Sequence, residues 1–372
     1  MEKLRNCSAA DKEAIVPVIS VPHAFNEEQL YVDLRSIFGH SLFLKCEGFN
    51  FAGSVKLKAA TEMVETAERD GVLTPGSVLV ESSSGNLGVA LSVIAASKGY
   101  RFLCVTDARC NLSTRLLMGA LGSQVHIISE LDSSGSSLGA RIDYVRELCA
   151  SDDRYVWLGQ YTNPGNWKAH YRKTAPEIAH QFPRLDVLFV GAGTTGTLMG
   201  CARYFREWHR PVRIVAVDSV GSVTFGGAPG RRMIPGLGMS VRPPLLDESY
   251  VDEVIHVEEA DTIRACHRLA RRGFLFGGST GTVVSGAMGW LTQHDTRDLT
   301  SVAIAPDLGE RYLETIYQTN WLQDLYGEEV LTPNAPAAGP WTTRPAPPTR
   351  SPGRRNGNRG GEQRPQRQDR EA

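Results

Sequence analysis

Four polar, glycine-rich stretches carry the side chains most able to do chemistry. The first, Asn50-Phe51-Ala52-Gly53-Ser54-Val55-Lys56-Leu57-Lys58, sets a lysine at the predicted start of a helix. The helix dipole disfavours an ammonium there, so the Lys56 amine should titrate low and be nucleophilic, as an imine-forming amine must be. The second, Ser82-Ser83-Ser84-Gly85-Asn86-Leu87-Gly88, links a predicted strand to a predicted helix. A helix cap needs one such polar residue; three serines and an asparagine offer a nest for a carboxylate or a phosphate. The third, Gly191-Ala192-Gly193-Thr194-Thr195-Gly196-Thr197, combines close-approach glycines with three hydroxyls. Its Gly-x-Gly-x-x-Gly spacing, with Asp218 ending a later apolar run, fits a dinucleotide, and a phosphate monoester fits equally well. The fourth, Phe276-Gly277-Gly278-Ser279-Thr280-Gly281-Thr282, adds a hydroxyl that could meet a heteroaromatic nitrogen. An amine, a phosphate nest, a carboxylate nest and a separate hydroxyl together match pyridoxal phosphate joined to an amino acid.

The elements needed to position these groups are visible as alternating apolar runs and amphipathic stretches. Strands are predicted at 77–81, 102–106, 125–128, 186–190, 212–218 and 301–305. Helices are predicted at 57–70, 87–98, 113–121, 138–150, 197–208, 260–272 and 283–291. Fully apolar strands alternating with helices indicate parallel sheets covered on both faces, with a ligand at the carboxyl ends of the strands. Segment 219–258 is rich in Gly, Pro and Arg and is expected to border that cleft.

Composition narrows the classes further. The chain has 372 residues, 41% hydrophobic and 22% charged, with formal net charge -1, so its overall field would not gather nucleic acid. Seven scattered cysteines without a CxxC pair suit reduced thiols and no metal, and a cytoplasmic location follows. No signal peptide and no apolar run long enough for a membrane span are seen. Residues 341–372 lack Leu, Ile, Val and Phe and hold eight Arg against three acids, the composition of a disordered tail.

On these motifs the chain resembles the cysteine synthase/cystathionine β-synthase family of fold-type-II pyridoxal-phosphate enzymes, over roughly residues 12–320. The resemblance implies an α/β fold of two three-layer α/β/α domains with pyridoxal 5'-phosphate in the cleft between them. It implies that Lys56 is the Schiff-base and catalytic lysine, and that Asn86 meets the cofactor's phenolic oxygen. Gly191, Ala192, Gly193, Thr194 and Thr195 would hold the phosphate, and Ser279 the ring nitrogen. Ser83, Ser84, Asn86 and Gln160, which precedes Asn163-Pro164, would bind the substrate carboxylate. Pro306-Asp307-Leu308-Gly309-Glu310-Arg311-Tyr312-Leu313 is close to another family run. The implied domains are an N-terminal segment 1–41 packing on the C-terminal half, a smaller carboxylate-binding domain 42–160, a larger phosphate-binding domain 161–330, and a disordered Pro/Arg-rich tail 331–372.

Departures from the family pattern bear on the substrate. Leu87 replaces a usual threonine, and Lys58 stands where Arg is common. Arginines flank the Gly236-Leu237-Gly238 segment, where acetylserine enzymes carry a neutral stretch. The pattern resembles members that use O-phosphoserine, such as mycobacterial S-sulfocysteine synthase and siderophore 2,3-diaminopropionate-forming synthases. Arg232 and Gly236 are therefore expected at the substrate. The expected reaction is β-replacement on O-phospho-L-serine through an aminoacrylate, with thiosulfate or sulfide as nucleophile; Arg231, Arg242 or Lys58 would attract thiosulfate. The alternatives are glutamate as nucleophile, or a serine/threonine dehydratase. A homodimer is expected, with neither membrane nor nucleic acid as partner.

Overall fold

The structure, a computed structural model, describes residues 19–25, 30–129, 137–208, 210–294, 299–332 and 343–345. The first regular elements are β1 (Tyr31–Asp33), α1 (Arg35–Phe38), β2 (Leu42–Cys46), α2 (Lys56–Arg69), β3 (Val78–Ser82) and α3 (Asn86–Lys98). Next come β4 (Arg101–Asp107), α4 (Leu112–Ala120), β5 (Gln124–Ile128), α5 (Ser137–Ser151), β6 (Tyr155–Trp157) and α6 (Gly165–Ala169). One π-turn (His170–Thr174) leads into α7 (Ala175–Gln181), β7 (Val187–Gly191), α8 (Gly196–Glu207) and β8 (Arg213–Ser219). The rest are β9 (Glu253–Val257), α9 (Glu259–Ala270), α10 (Gly278–Gln293), β10 (Ser301–Ala305), α11 (Thr319–Tyr326) and β11 (Thr343–Pro345).

These strands build two sheets. The smaller has the order β5-β4-β3-β6 and is wholly parallel. The larger has the order β1-β2-β10-β7-β8-β9-β11, parallel from β2 to β9 with antiparallel edges. The two-residue period of a strand explains why its core runs read as continuously apolar. In β7, Val187 and Phe189 pack in the cluster that holds Val284 and Trp290 of α10, while Leu188 and Val190 pack with Met199 and Phe205 of α8. Burying a side chain such as Phe189 is worth about 1.5–3 kcal/mol. The small sheet has its own core of Leu79, Leu91, Ile94, Phe102 and Met118 on one face, and Val80, Val105 and Val145 on the other.

Three expectations change. Strand β2 pairs parallel with β10, so Leu42–Cys46 joins the larger sheet and the smaller unit starts after it. The physical reason is its alternation: Leu42, Leu44 and Cys46 all enter the large-sheet core. The N-terminal segment does not keep to the C-terminal half. Strand β1 pairs with β2, but His23 lies 3.5 Å from Ser97 of α3 and Phe25 packs edge-on to Phe51. Within the tail expected to be disordered, Thr343–Pro345 pairs antiparallel with β9 at the sheet edge, where a proline is tolerated. Residues 1–18, 333–342 and 346–372 lie outside the described residues.

Candidate active site

The four chemical segments lie at the carboxyl ends of the two sheets, where helices begin. From the smaller sheet, β3 runs into Ser83–Asn86 and α3, and β6 into Gln160. From the larger, β7 runs into Gly191–Thr195 and α8, and β10 into Pro306–Leu313. Helix α10 begins at Gly278, five residues before its expected start, so Ser279 sits in its first turn rather than in a loop.

Lys56 is the first residue of α2, as the dipole argument requires. The chain enters that helix pinned to the larger sheet: the Val55 N–H donates to the Pro306 carbonyl at 2.7 Å, and Ser54 bridges to Asp307. Burial pushes the Lys56 amine down to about 8, opposed by the nearby Asp307 carboxylate.

Thr195 is the one non-glycine among the described residues with a left-handed backbone, φ 65°. Its turn brings the Gly191–Thr195 amides to the N-terminus of α8, an anion-binding arrangement. The glycines on either side of it have no room for a Cβ. A Cβ on Gly193 would come 2.7 Å from the Gly236 carbonyl, and one on Gly196 would come 2.0 Å from Asn166 Oδ1. Asn166 Nδ2 donates to Thr194 Oγ1 at 3.0 Å and to the Gln160 carbonyl at 2.7 Å, while Asn166 Oδ1 is buried without a partner. On the opposite wall, a Cβ at Gly236, φ 110°, would meet Ser279 Oγ at 2.2 Å. The Gly238 N–H donates to the Ala192 carbonyl at 3.0 Å, which closes the wall.

The Ser82–Gly88 loop is organised by a buried acid. Glu81 accepts from the Ser82 and Gly159 N–H groups at 2.9 Å, from Trp157 Nε1 at 3.0 Å and from the Gln160 N–H at 3.3 Å. Burial pushes the Glu81 carboxyl up to about 7 despite these donors. Gln160 Nε2 donates to the Ser82 carbonyl at 3.0 Å. Ser83 Oγ accepts from the Gly88 N–H at 3.0 Å and the Gly85 N–H at 3.3 Å, so it caps α3, while Ser84 stays half-buried at the loop surface. Leu87 packs in the small-sheet core.

Asp307, which bonds Asn86 and the Gly277 N–H and lies near Lys56, and Asn166, which bonds Gln160 and Thr194, bring Lys56, Asn86, Gln160, Thr194, Gly236 and Ser279 together at the facing ends of the two sheets. Arg232 is placed differently from the open fork expected. Its Nη1 donates to the Gly221 carbonyl and its Nη2 to Ser240 Oγ at 3.1 Å, so both ends brace the 219–240 loop. Lys58 is buried in ion pairs with Glu47 and Glu177, and Arg242 pairs with Glu248. Neither is an open anion site. Two groups went unassigned from sequence. Asp307, Arg311 and Tyr312 contact Asn86 or one another, and their only signal was a family run without a role. Arg141 of α5 is 3% exposed; its Nε lies 3.4 Å from Asp107 Oδ2 and its Nη1 is buried without a partner. One arginine in an amphipathic helix carries no sequence signal.

The cleft fits pyridoxal 5'-phosphate. The backbone amides and threonine hydroxyls at the start of α8 suit a phosphate, Ser279 a ring nitrogen and Lys56 an aldehyde carbon. The chain belongs to the family of pyridoxal-phosphate dependent enzymes, which it matches over residues 30–307. Within it the chain is a fold-type-II enzyme of the cysteine synthase/cystathionine β-synthase superfamily. It is 41% identical over 283 residues to the N-(2-amino-2-carboxyethyl)-L-glutamate synthase of Ralstonia nicotianae, covering 76% of this chain and 83% of that one. The enzyme of the same name from Cupriavidus metallidurans is 40% identical over 298 residues, covering 78% and 87%. Among solved structures, O-ureido-L-serine synthase superposes with a TM-score of 0.74 at 32% identity, covering 84% of this chain and 97% of that one. Among the described residues no helix is long and apolar enough to cross a membrane.

Proposed function

We propose that the protein joins the amine of L-glutamate to the β-carbon of O-phospho-L-serine, releasing phosphate. This takes the glutamate alternative over thiosulfate or sulfide. The observation that carries it is Arg141, a buried guanidinium with an unpaired donor over the carboxyl end of the smaller sheet. A dicarboxylic nucleophile can use such a donor, whereas sulfide has no need of it. The names of the two curated relatives describe the product of that joining. Phosphate as leaving group follows the resemblance to O-phosphoserine users, without a role for Arg232 as an open fork.

When bound, pyridoxal 5'-phosphate supplies an electrophilic carbon for the substrate amine and a sink for electrons from the α-carbon. The protein's part is placement and proton transfer. Thr194, Thr195 and the α8 amides hold the phosphate, and Ser279 meets the ring nitrogen as a neutral hydroxyl. Ser84, Asn86 and Gln160 hold the substrate carboxylate, with Ser83 shaping the loop. Lys56 Nζ, already lowered to about 8, takes the α-proton as the bond from Cβ to the phosphate oxygen breaks. The glutamate nitrogen then bonds to Cβ and loses a proton, and Lys56 returns a proton to the α-carbon. Cytoplasmic location is supported by the free thiols of the six described cysteines, and the homodimer remains part of this reading.

The test is a parallel assay of the holoenzyme with O-phospho-L-serine and L-glutamate, thiosulfate or sulfide, products being identified by mass. Expected is phosphate release with the glutamate adduct formed fastest. Faster S-sulfocysteine or cysteine would overturn the nucleophile, and an oxo acid with ammonia in every tube would point to a dehydratase. Lys56→Ala should lower turnover by at least about 10²–10⁴-fold, the range for a proton-transfer group. Near wild-type turnover would remove the assignment of the base.

A further inference from the structure

Asn86, the first residue of α3, reaches across the cleft. Its Nδ2 donates to Asp307 Oδ2 at 2.8 Å, and its Oδ1 accepts from Arg311 Nη1 at 2.5 Å. Both partners come from the turn after β10, so these bonds tie the smaller unit to the larger sheet. The partners are themselves fixed. Tyr312 donates its hydroxyl to the same Asp307 oxygen, and Arg311 Nη2 donates to the Ala52 carbonyl. Asn111 Nδ2 donates to the Arg311 carbonyl at 2.7 Å. Glycine spacing leaves the room: a Cβ at Gly53 would meet Arg311 Nη2 at 2.8 Å, and one at Gly277 would meet Asp307 Oδ1 at 2.2 Å.

The two ends of an asparagine amide have one shape and opposite hydrogen-bonding sense. A guanidinium can only donate and a carboxylate can only accept, so Arg311 and Asp307 allow one of the two orientations. In that orientation Nδ2 keeps a second N–H beyond the one used by Asp307. We propose that Asp307 and Arg311 are positioning residues that lock the Asn86 amide so that its remaining N–H is offered to an oxygen of the cofactor–substrate pair. Neither needs to touch that pair. The inference rests on the pyridoxal-phosphate reading and adds what orients the contact. The Asp307 carboxylate also lies close enough to Lys56 to favour its charged form, consistent with a place beside the reacting centre.

The test uses holoenzyme of the wild type, Arg311→Met, Asn86→Ala and the double variant, with Asp307→Asn as the isosteric second route. Each is followed by its visible absorbance, kcat, KM for O-phospho-L-serine and melting temperature. Arg311→Met leaves Asn86 Oδ1 without its donor and the amide held at one end only, so the absorbance band should move and kcat should fall by about 10- to 100-fold, the range for one hydrogen bond to a charged group. Asn86→Ala should give the same band shift, and the double variant should lose little more, since both changes break one contact. Asp307→Asn can present either an oxygen or an N–H to the Asn86 amide, so it weakens the accept-only side of the lock and should fall between wild type and Arg311→Met. Independent, additive losses, or a lower melting temperature with band and kcat unchanged, would reduce the cluster to a structural tie and overturn the proposal. If Arg311→Met does not fold, Asp307→Asn decides: a wild-type band and kcat in that variant overturn it. A colourless wild-type protein after incubation with pyridoxal phosphate would instead count against the cofactor reading itself.

Discussion

Two groups of charges lie at the ends of the two sheets, the first buried throughout and the second with Arg141 and Asp107 buried and Arg109 exposed, and they are built on different plans. Under the first turn of α2, Lys45 and Lys58 face Glu47 and Glu177: Lys58 lies 3.1 Å from Glu47 and 2.8 Å from Glu177, and Lys45 lies 2.8 Å from Glu177. Two cations meet two anions. Over the smaller sheet, Arg141 and Arg109 share the single carboxylate of Asp107, at 3.4 and 3.2 Å, and an Arg141 donor is left over. Burying a charge costs several kcal/mol unless partners return it, so a balanced cluster reads as structure. A buried donor without a partner calls for a further explanation, and an anionic ligand is one. The distinction comes from charge balance: the first group leaves Glu47 Oε2 and Glu177 Oε1 without a hydrogen bond but matches cations to anions, whereas in the second the buried Arg141 shares its one carboxylate with the exposed Arg109.

The balanced cluster should therefore answer to stability. Lys58→Met leaves two carboxylates sharing Lys45 and should cost about 3–5 kcal/mol, the range for breaking a buried pair from one side. Denaturant unfolding measures it. Because Lys58 stands two residues after Lys56, cofactor affinity should fall with it. Wild-type stability in this variant would erase the contrast between the two clusters.

Glu81 stands between the plans: a fully buried carboxyl held by N–H donors rather than by a cation. Its folded value, about 7, lies above the ordinary 4.5, so the native state keeps a proton that the unfolded chain has lost between those values. Its contribution to stability is complete below about pH 4.5, declines as pH rises and is gone above about 7, on the order of 3 kcal/mol in all. Glu81→Gln cannot titrate there, so the stability difference between wild type and this variant should shrink with rising pH across that window. The substitution also sets amide hydrogens against N–H donors, but that offset does not vary with pH. A flat difference would mean that the donors already hold Glu81 ionised at pH 4.5.

What could be read from sequence follows from how local each signal is. Apolar runs such as Val187–Val190 and Val212–Asp218 declare strands because both faces of the larger sheet are covered. Lys56, Asn86, Gly191–Thr195 and Ser279 stood out because backbone and side chain must meet a ligand within a few residues. The membership of β2 was not legible, since Leu42–Cys46 takes its place only by pairing with a strand 259 positions later, Ser301 beside Leu42. Arg232 misled for the converse reason: arginines around a glycine pair look like a fork until the carbonyls of Gly221 and Gly230 are seen to occupy it. The Asn86–Arg311 contact and the position of Arg141 above Asp107 likewise exist only in the folded chain.

Arg141 is the member of the comparison that should answer to substrate rather than to stability. Its Nε–Asp107 contact anchors the guanidinium, and the unpaired Nη1 is what remains for a ligand. Arg141→Gln keeps a donor of similar reach but loses the charge, so it should raise KM for L-glutamate by about 10- to 100-fold, the range for one hydrogen bond to a charged group. Release of phosphate from O-phospho-L-serine in the presence of sulfide should change little, because a nucleophile of that size does not extend to α5. Arg141→Lys should recover part of the loss, since an ammonium restores charge without the fork that meets a carboxylate at two points. Melting temperature separates this from the Lys58 cluster: Asp107 keeps Arg109 as a partner, so the fold should lose less than in Lys58→Met. A variant that slows glutamate and sulfide equally would show Arg141 acting through Asp107 and the Ser137 carbonyl alone, and the leftover donor would then belong to the architecture of the smaller sheet.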